Sequence, residues 1–154
     1  MRPLADWLSE YGSSHRNKTN KAIHWVCVPL IVWSIILLFW SIPVPQFLAD
    51  TSLNWAHVAI LLAVIYYFFL SVSLAIGMLI IFWLMLLASA IFVKSVSFPV
   101  WIAGLSIFFL AWAGEFYGHK IEGKKPSFLK DVQFLLIGPL WLMHFIYKKA
   151  GIRF

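Results

Sequence analysis

The chain has 154 residues and a net charge of +6, and it is 62% hydrophobic but only 12% charged, where soluble domains run at roughly 45–50% and about 25%. That length makes one domain. A water-soluble domain of this size could not bury nine Trp and fourteen Phe beside its aliphatic residues, so a soluble globular protein is excluded and lipid has to cover the surplus.

The bases flank apolar runs, a pattern of membrane orientation that argues against a nucleic-acid partner. Cys27 is the single cysteine, which rules out an internal disulfide and leaves the redox compartment open. Residues 1–21 are polar with no clear small-residue cleavage site, so the first apolar run is expected to stay and span.

In Met1–Lys21, Pro3 can open a short helix and Gly12 can close it. Leu4, Trp7, Leu8 and Tyr11 recur at helical spacing, which suits an amphipathic helix in the membrane interface or, equally, one packed on the protein's own cap. His15 and His24 are nine residues apart and would point to opposite sides of one straight helix. They can meet only if the chain turns between them, and Asn17 and Asn20 are natural turn or cap residues. With Asn20 near the cap, Asn20 and His24 share a face.

The first span is expected over about 22–42, with a kink at Pro29 and an end at Pro43 and Pro45, followed by a loop to Ser52. The second and third are expected over about 53–71 and 74–93. Ser71, Ser73 and Gly77 are the only hints of a break; one very long helix is the alternative, but two helices with a tight turn fit bilayer thickness better. After Lys94–Ser97, Ser97 can cap and Pro99 can enter the first turn of a fourth span over about 98–115. The last apolar run, 132–147, is interrupted by Gly138–Pro139 and is short for a crossing. The expected fold is therefore all-α. It is a single polytopic membrane domain over 1–154 with four transmembrane helices, an N-terminal interfacial helix and a C-terminal re-entrant or interfacial helix.

Charge gives the topology. Arg2, Arg16, Lys18 and Lys21 precede the first span, the loop 43–52 has no base, and Lys94 stands alone. Lys120, Lys124, Lys125 and Lys130 follow the fourth span, and Lys148, Lys149 and Arg153 follow the last apolar run. The positive-inside rule places both termini in the cytoplasm and argues against a crossing by 132–147. A bacterial inner membrane is the expected location, or the endoplasmic reticulum in a eukaryote. This topology brings His15, His24 and His119 to one membrane face, adds His144 if 132–147 does not cross, and sends His57 to the other.

The stretch AGEFYGHKIEGKKP, Ala113–Pro126, sets Glu115, His119 and Glu122 at i, i+4 and i+7. These share one face if the helix continues, with Gly118 leaving room for a close neighbour. Imidazoles and carboxylates gathered in a helix bundle can hold a metal; iron, zinc and copper all suit such a set, and spacing does not choose among them. The bland readings are interfacial hydrogen-bonding histidines, acids paired with Lys120, Lys124 or Lys125, and an aromatic belt from Tyr11, Tyr117, Tyr147, Trp7, Trp25, Trp112 and Trp141. Glu115 resists the bland reading, because an acid beside the hydrocarbon layer is costly unless paired or functional.

Three blocks carry a resemblance. HRNKTNKAIHWVCVPL, with His15, Asn20, His24 and Pro29, resembles the N-terminal pattern of the fungal-type 2-hydroxy fatty acid dioxygenase family. WAGEFYGHKIEGKKPS is similar to its second block at Trp112, Phe116, Gly118, His119, Glu122 and Pro126, and LLIGPLWLMHF to its C-terminal segment around Pro139. Glu115 stands where that family usually has Gln, and His144 where it often has an acid.

The resemblance implies an Fe(II)-dependent enzyme that uses O2 to convert 2-hydroxy fatty acids to acids one carbon shorter. His15, His24 and His119 would hold iron, with His144 or Glu122 as a further ligand, or with Glu122, Glu115 and Asn20 orienting the imidazoles. Lys120, Lys124 or Lys125 would attract the substrate carboxylate, and the acyl tail would enter sideways from the bilayer. The competing readings are a membrane haem or electron-transfer protein with His24 and His119 as axial ligands, and a non-catalytic lipid-binding protein.

Overall fold

A computed structural model describes residues 2–126, 129 and 132–154. Lys130, one of the bases in the topology argument, lies outside the described residues. Among these, seven helices and no strand are present: α1 Leu4–Ser13, α2 Lys18–Trp40, α3 Gln46–Ala49, α4 Trp55–Leu70, α5 Val72–Ser95, α6 Val100–Glu122 and α7 Phe134–Ala150. α2, α5 and α6 are each long and apolar enough to cross a membrane, whereas α4 has only 16 residues, about 24 Å at 1.5 Å per residue. Many of their large apolar side chains face outward, among them Leu62, Phe69, Ile91 and Leu110, as expected of helices whose solvent is lipid.

α2 is the hub. It packs against α4, α5, α6 and α7, and its contact with α6 is the closest because glycines line it. A Cβ at Gly104 would lie 2.9 Å from the Leu38 side chain, one at Gly114 2.6 Å from Cys27 Sγ, and one at Gly118 2.4 Å from Asn20 Oδ1. Small residues spaced by four let two helix backbones approach. The pairs Leu38–Gly104, Cys27–Gly114 and Asn20–Gly118 show an antiparallel register, so the start of α2 meets the end of α6.

The break between the second and third spans is a single residue. Ser71 is extended (φ −164°, ψ 119°), ends α4, and accepts the Leu74 N–H with its hydroxyl to begin α5. The two-helix expectation matches this hairpin.

Several sequence-based boundaries change. α2 begins at Lys18, and its cap is Asn17, which accepts from the N–H groups of Thr19 and Asn20; Asn20 instead sits buried in the first turn. Pro99, not Ser97, takes the cap position of α6 and makes no side-chain cap bond. α6 runs on to Glu122, seven residues past the expected end. Of its last turns only the face with Glu115, Gly118 and His119 is buried, and Gly123, at φ 71°, supplies the left-handed stop.

Gly138–Pro139 does not interrupt α7. Pro139 lacks the N–H that would reach the Leu135 carbonyl, in the first turn of the helix, and at the next residue the Tyr67 hydroxyl donates to the Leu136 carbonyl at 2.8 Å. The Tyr147 hydroxyl donates to the Ser73 carbonyl. Both ends of α7 are thus tied close to Ser71, so the helix lies obliquely over that end of the α4–α5 hairpin. α1 packs on α7 through Trp7, Tyr11, Phe134 and Trp141. Of the two readings of the N-terminal helix, its apolar face follows the one in which protein covers it.

Candidate metal centre

The site is built where the start of α2, the end of α6 and the turn between α1 and α2 meet. The turn is needed because His15 and His24 cannot face each other along one helix. It is held from outside the segment: Glu122 Oε1 accepts the Arg16 N–H and Oε2 the Asn17 N–H, both at 2.8 Å, and the Asn20 amide donates to Oε2 at 3.1 Å. A carboxylate accepting successive backbone N–H groups is a charge-assisted clamp. It is available because α6 stops at Gly123, one residue after Glu122.

With the turn fixed, His15, His24 and His119 are buried together at 5% exposure or less, and one ring nitrogen of each falls within 4.8 Å of the others. His15 Nε2 lies 2.8 Å from His24 Nε2, and Glu115 Oε2 lies 2.6 Å from the same His24 nitrogen.

The outer bonds set the tautomers. His15 Nδ1 is 2.5 Å from the Tyr11 carbonyl and His24 Nδ1 is 2.9 Å from the Asn20 carbonyl. A carbonyl only accepts, so both Nδ1 atoms carry hydrogen. Burial, then the neighbouring His24, lowers the His15 pKa to about 3, which keeps that ring neutral. His15 Nε2 therefore presents a lone pair, and it does so beside His24 Nε2 and the Glu115 carboxylate.

Two further buried atoms, His119 Nδ1 and Glu115 Oε1, have no hydrogen-bond partner among the described residues. Unpaired buried acceptors cost free energy. A cation among them removes that cost, and nitrogen-rich donors with a carboxylate are a set that transition metals take.

The residues expected here divide. His15, His24, His119, Glu115 and Asn20 come together. Glu122 reaches the turn, and its oxygens are engaged there instead of among the imidazole nitrogens. His144 is not brought in: its Nδ1 meets the Trp141 carbonyl, its ring packs on Phe145, and the Trp141 ring stands between it and His15. His57 is at the far end of the bundle, in the cap of α4.

Lys120, Lys124 and Lys125 line an exposed basin that reaches His119, and Lys124 Nζ donates to the Ser13 carbonyl. Tyr11 and Trp141 were grouped with an aromatic belt but are buried. Tyr11 stacks on His15 with ring centroids 4.2 Å apart and supplies its carbonyl acceptor; its place four residues before His15 was the available signal.

The profile of the family described as 2-hydroxy-palmitic acid dioxygenase Mpo1-like matches residues 1–150, and the chain belongs to that family. No curated protein and no solved structure matches the chain.

Proposed function

We propose that this member of the family is an Fe(II)-dependent dioxygenase of the membrane. It would oxidise a 2-hydroxy fatty acid to the acid one carbon shorter. The observation that carries the reading is the set of buried ring nitrogens from His15, His24 and His119 gathered within 4.8 Å of one another beside Glu115.

The balance is consistent with such an enzyme working alone. One 2-hydroxy acid and one O2 give the shortened acid, carbon dioxide and water. The bond between the carboxyl carbon and its neighbour breaks, the substrate gives up four electrons and O2 takes four, so no further reductant is required. Ferrous iron, when bound, supplies the one-electron chemistry that lets O2 react with a closed-shell substrate.

The remaining work falls to the chain. His15, His24 and His119 hold the ion. Glu115 stands at the centre in the role expected of Glu122, and as an anion it offsets the charge of a divalent cation in a site of low polarity. Glu122 and Asn20 position the turn and, through it, the His15 ring. Lys120, Lys124 and Lys125 attract the substrate carboxylate from the aqueous rim. His144 is assigned no ligand role.

We place the chain in a bacterial inner membrane with both termini cytoplasmic, or in the endoplasmic reticulum of a eukaryote. Support comes from the bases of 16–21, 120–125 and 148–153, which belong to the end of the bundle that holds the site, while Lys94 closes α5 at the other. The haem reading is disfavoured by the rings themselves. His24 and His119 have centroids only 5.0 Å apart at 84°, which leaves no slot for a macrocycle between them.

The test is anaerobic reconstitution with Fe(II), then 2-hydroxypalmitate under O2. A shortened acid is expected from the natural sequence and none from His15→Ala, His24→Ala or His119→Ala. Turnover surviving in all three would sink the ligand assignment, and absence of any bound transition metal would favour the lipid-binding alternative.

A further inference from the structure

Three apolar cavities meet at Val32 and Pro139, and they differ in what they reach. The first runs beside the metal centre, with Tyr11, Glu115 and His119 at one end and Ile31, Ile35 and Phe108 at the other. The second, toward Trp25 and Met78, and the third, toward Phe39 and Ala59, are lined by no ionisable side chain except the phenol of Tyr67 in the third. Only the first therefore has one polar end and one hydrocarbon end.

Its length also means something. From His119 to Phe108, α6 rises about 16 Å at about 1.5 Å per residue, close to half of the roughly 30 Å hydrocarbon layer. That is the depth of one leaflet, the distance a membrane acyl chain already occupies. The wall toward lipid is incomplete: Ile35 is 36% and Leu135 43% exposed, so a chain can pass between α2 and α7 from the side.

We propose that this first cavity is the binding site for the hydrocarbon tail of a single-chain amphiphile with an anionic head, and that Ile31, Ile35 and Phe108 set its preferred chain length. As the tail site of a 2-hydroxy fatty acid, the proposal rests on the dioxygenase reading. As a site for an anionic single-chain lipid, it does not. The head lies at Glu115 and His119, within reach of the lysine basin, and the tail follows α2 and α6 away from the aqueous rim. Tail burial accounts for affinity, at about 0.8 kcal/mol per methylene, and the far wall accounts for selectivity.

Two measurements test it. First, metal-loaded protein in lipid nanodiscs is photolabelled in the absence of O2 with 2-hydroxypalmitate that carries a diazirine at its last carbon. Adducts are expected on α2 within Ile31–Ile35 and on α6 at Phe108. Adducts spread over outward residues such as Leu62 and Phe69, or concentrated near Trp25 and Met78, would overturn the proposal.

Second, Ile35→Trp, with Leu135→Trp as a second variant should the first not fold, is compared with the natural sequence on sixteen-carbon and eight-carbon 2-hydroxy acids. The ratio of long-chain to short-chain turnover is expected to fall about tenfold or more. An unchanged ratio in a folded, metal-loaded variant would exclude this cavity as the tail site. If the natural sequence forms no shortened acid yet the label lands in the cavity, the dioxygenase reading fails and the lipid site stands.

Discussion

The two ends of the bundle use histidine in opposite ways. At the far end, His57 is consumed by the backbone. Asn54 and His57 form a reciprocal cap at the start of α4, in which the Asn54 N–H donates to His57 Nδ1 at 3.2 Å and the Asn54 side chain accepts the Ala56 N–H. That ring ends a helix, and Trp40 packs against it. At the near end, the outer nitrogens of His15 and His24 are likewise spent on carbonyls, but their inner nitrogens are turned toward each other and toward a carboxylate. A histidine becomes a candidate ligand through the lone pair left over after its structural bonds are made. Each kind sits at an end of the bundle, so depth along it does not distinguish them.

The contrast is sharpest when one histidine is deleted from each end. His24→Ala removes the ring nearest both His15 and Glu115, and bound metal is expected to fall by more than about 100-fold, beyond the range typical of outer partners. His57→Ala is expected to leave metal content unchanged and to cost about 1 kcal/mol of stability through the lost cap. Elemental analysis and thermal melting in the same detergent check both. Equal metal loss in the two variants would erase the distinction between the ends.

A smaller effect is expected at Glu122, which holds the turn without joining the imidazoles. Glu122→Ala should weaken metal affinity by roughly 10–100-fold while leaving all three histidines in place. Glu122→Gln, which keeps one acceptor for the turn but sets an amide NH2 against the other backbone N–H, should recover only a small part of the loss. Metal binding as weak as in His24→Ala would instead make Glu122 a ligand, as the sequence alone suggested.

These residues also show what could be read in advance and what could not. The four apolar runs, the break near Ser71 and the convergence of His15, His24 and His119 were legible because each follows from hydropathy, from bilayer thickness or from the side of the membrane on which a residue falls. Gly118 was legible as a place of close approach. The exchange of roles between Glu115 and Glu122 was not. Both lie on one face of α6, and which of them meets an imidazole depends on the register with α2, which is fixed by the glycine pairs. α7 runs through Gly138–Pro139, where the sequence pointed to an interruption, because the only carbonyl the proline leaves unbonded is that of Leu135, in the first turn of the helix. His144 was named on topology and on the resemblance, and no sequence rule places the Trp141 ring against both it and His15.

The two ends can next be compared through their glycines. Gly104→Ala puts a methyl 2.9 Å from Leu38 Cδ2, a flexible side chain in an apolar layer, whereas Gly118→Ala puts one 2.4 Å from Asn20 Oδ1. Both are overpacking changes of about 1–3 kcal/mol. Asn20 also supplies the carbonyl under His24 and an amide to Glu122, so Gly118→Ala should lower metal affinity as well as melting temperature, and Gly104→Ala only the latter. Equal metal affinity in the two variants would mean that the near end absorbs the methyl as easily as the far end does.

The smallest effect is expected from the histidine that looked like a ligand and sits a short way from the centre. His144 packs on Phe145 with ring centroids 4.0 Å apart, and its nearer ring nitrogen meets the Trp141 carbonyl. Burial lowers its pKa, so it is a neutral, half-buried ring near neutral pH and contributes no charge to the site. Removing it takes away one aromatic contact, worth about 0.5–1.5 kcal/mol, and leaves Trp141 in place against His15. His144→Ala should therefore bind metal like the natural sequence and melt slightly lower. A clear loss of metal in this variant, measured beside His57→Ala, would require Trp141 to move aside and admit a fourth imidazole, and the near end would then have to be redrawn around it.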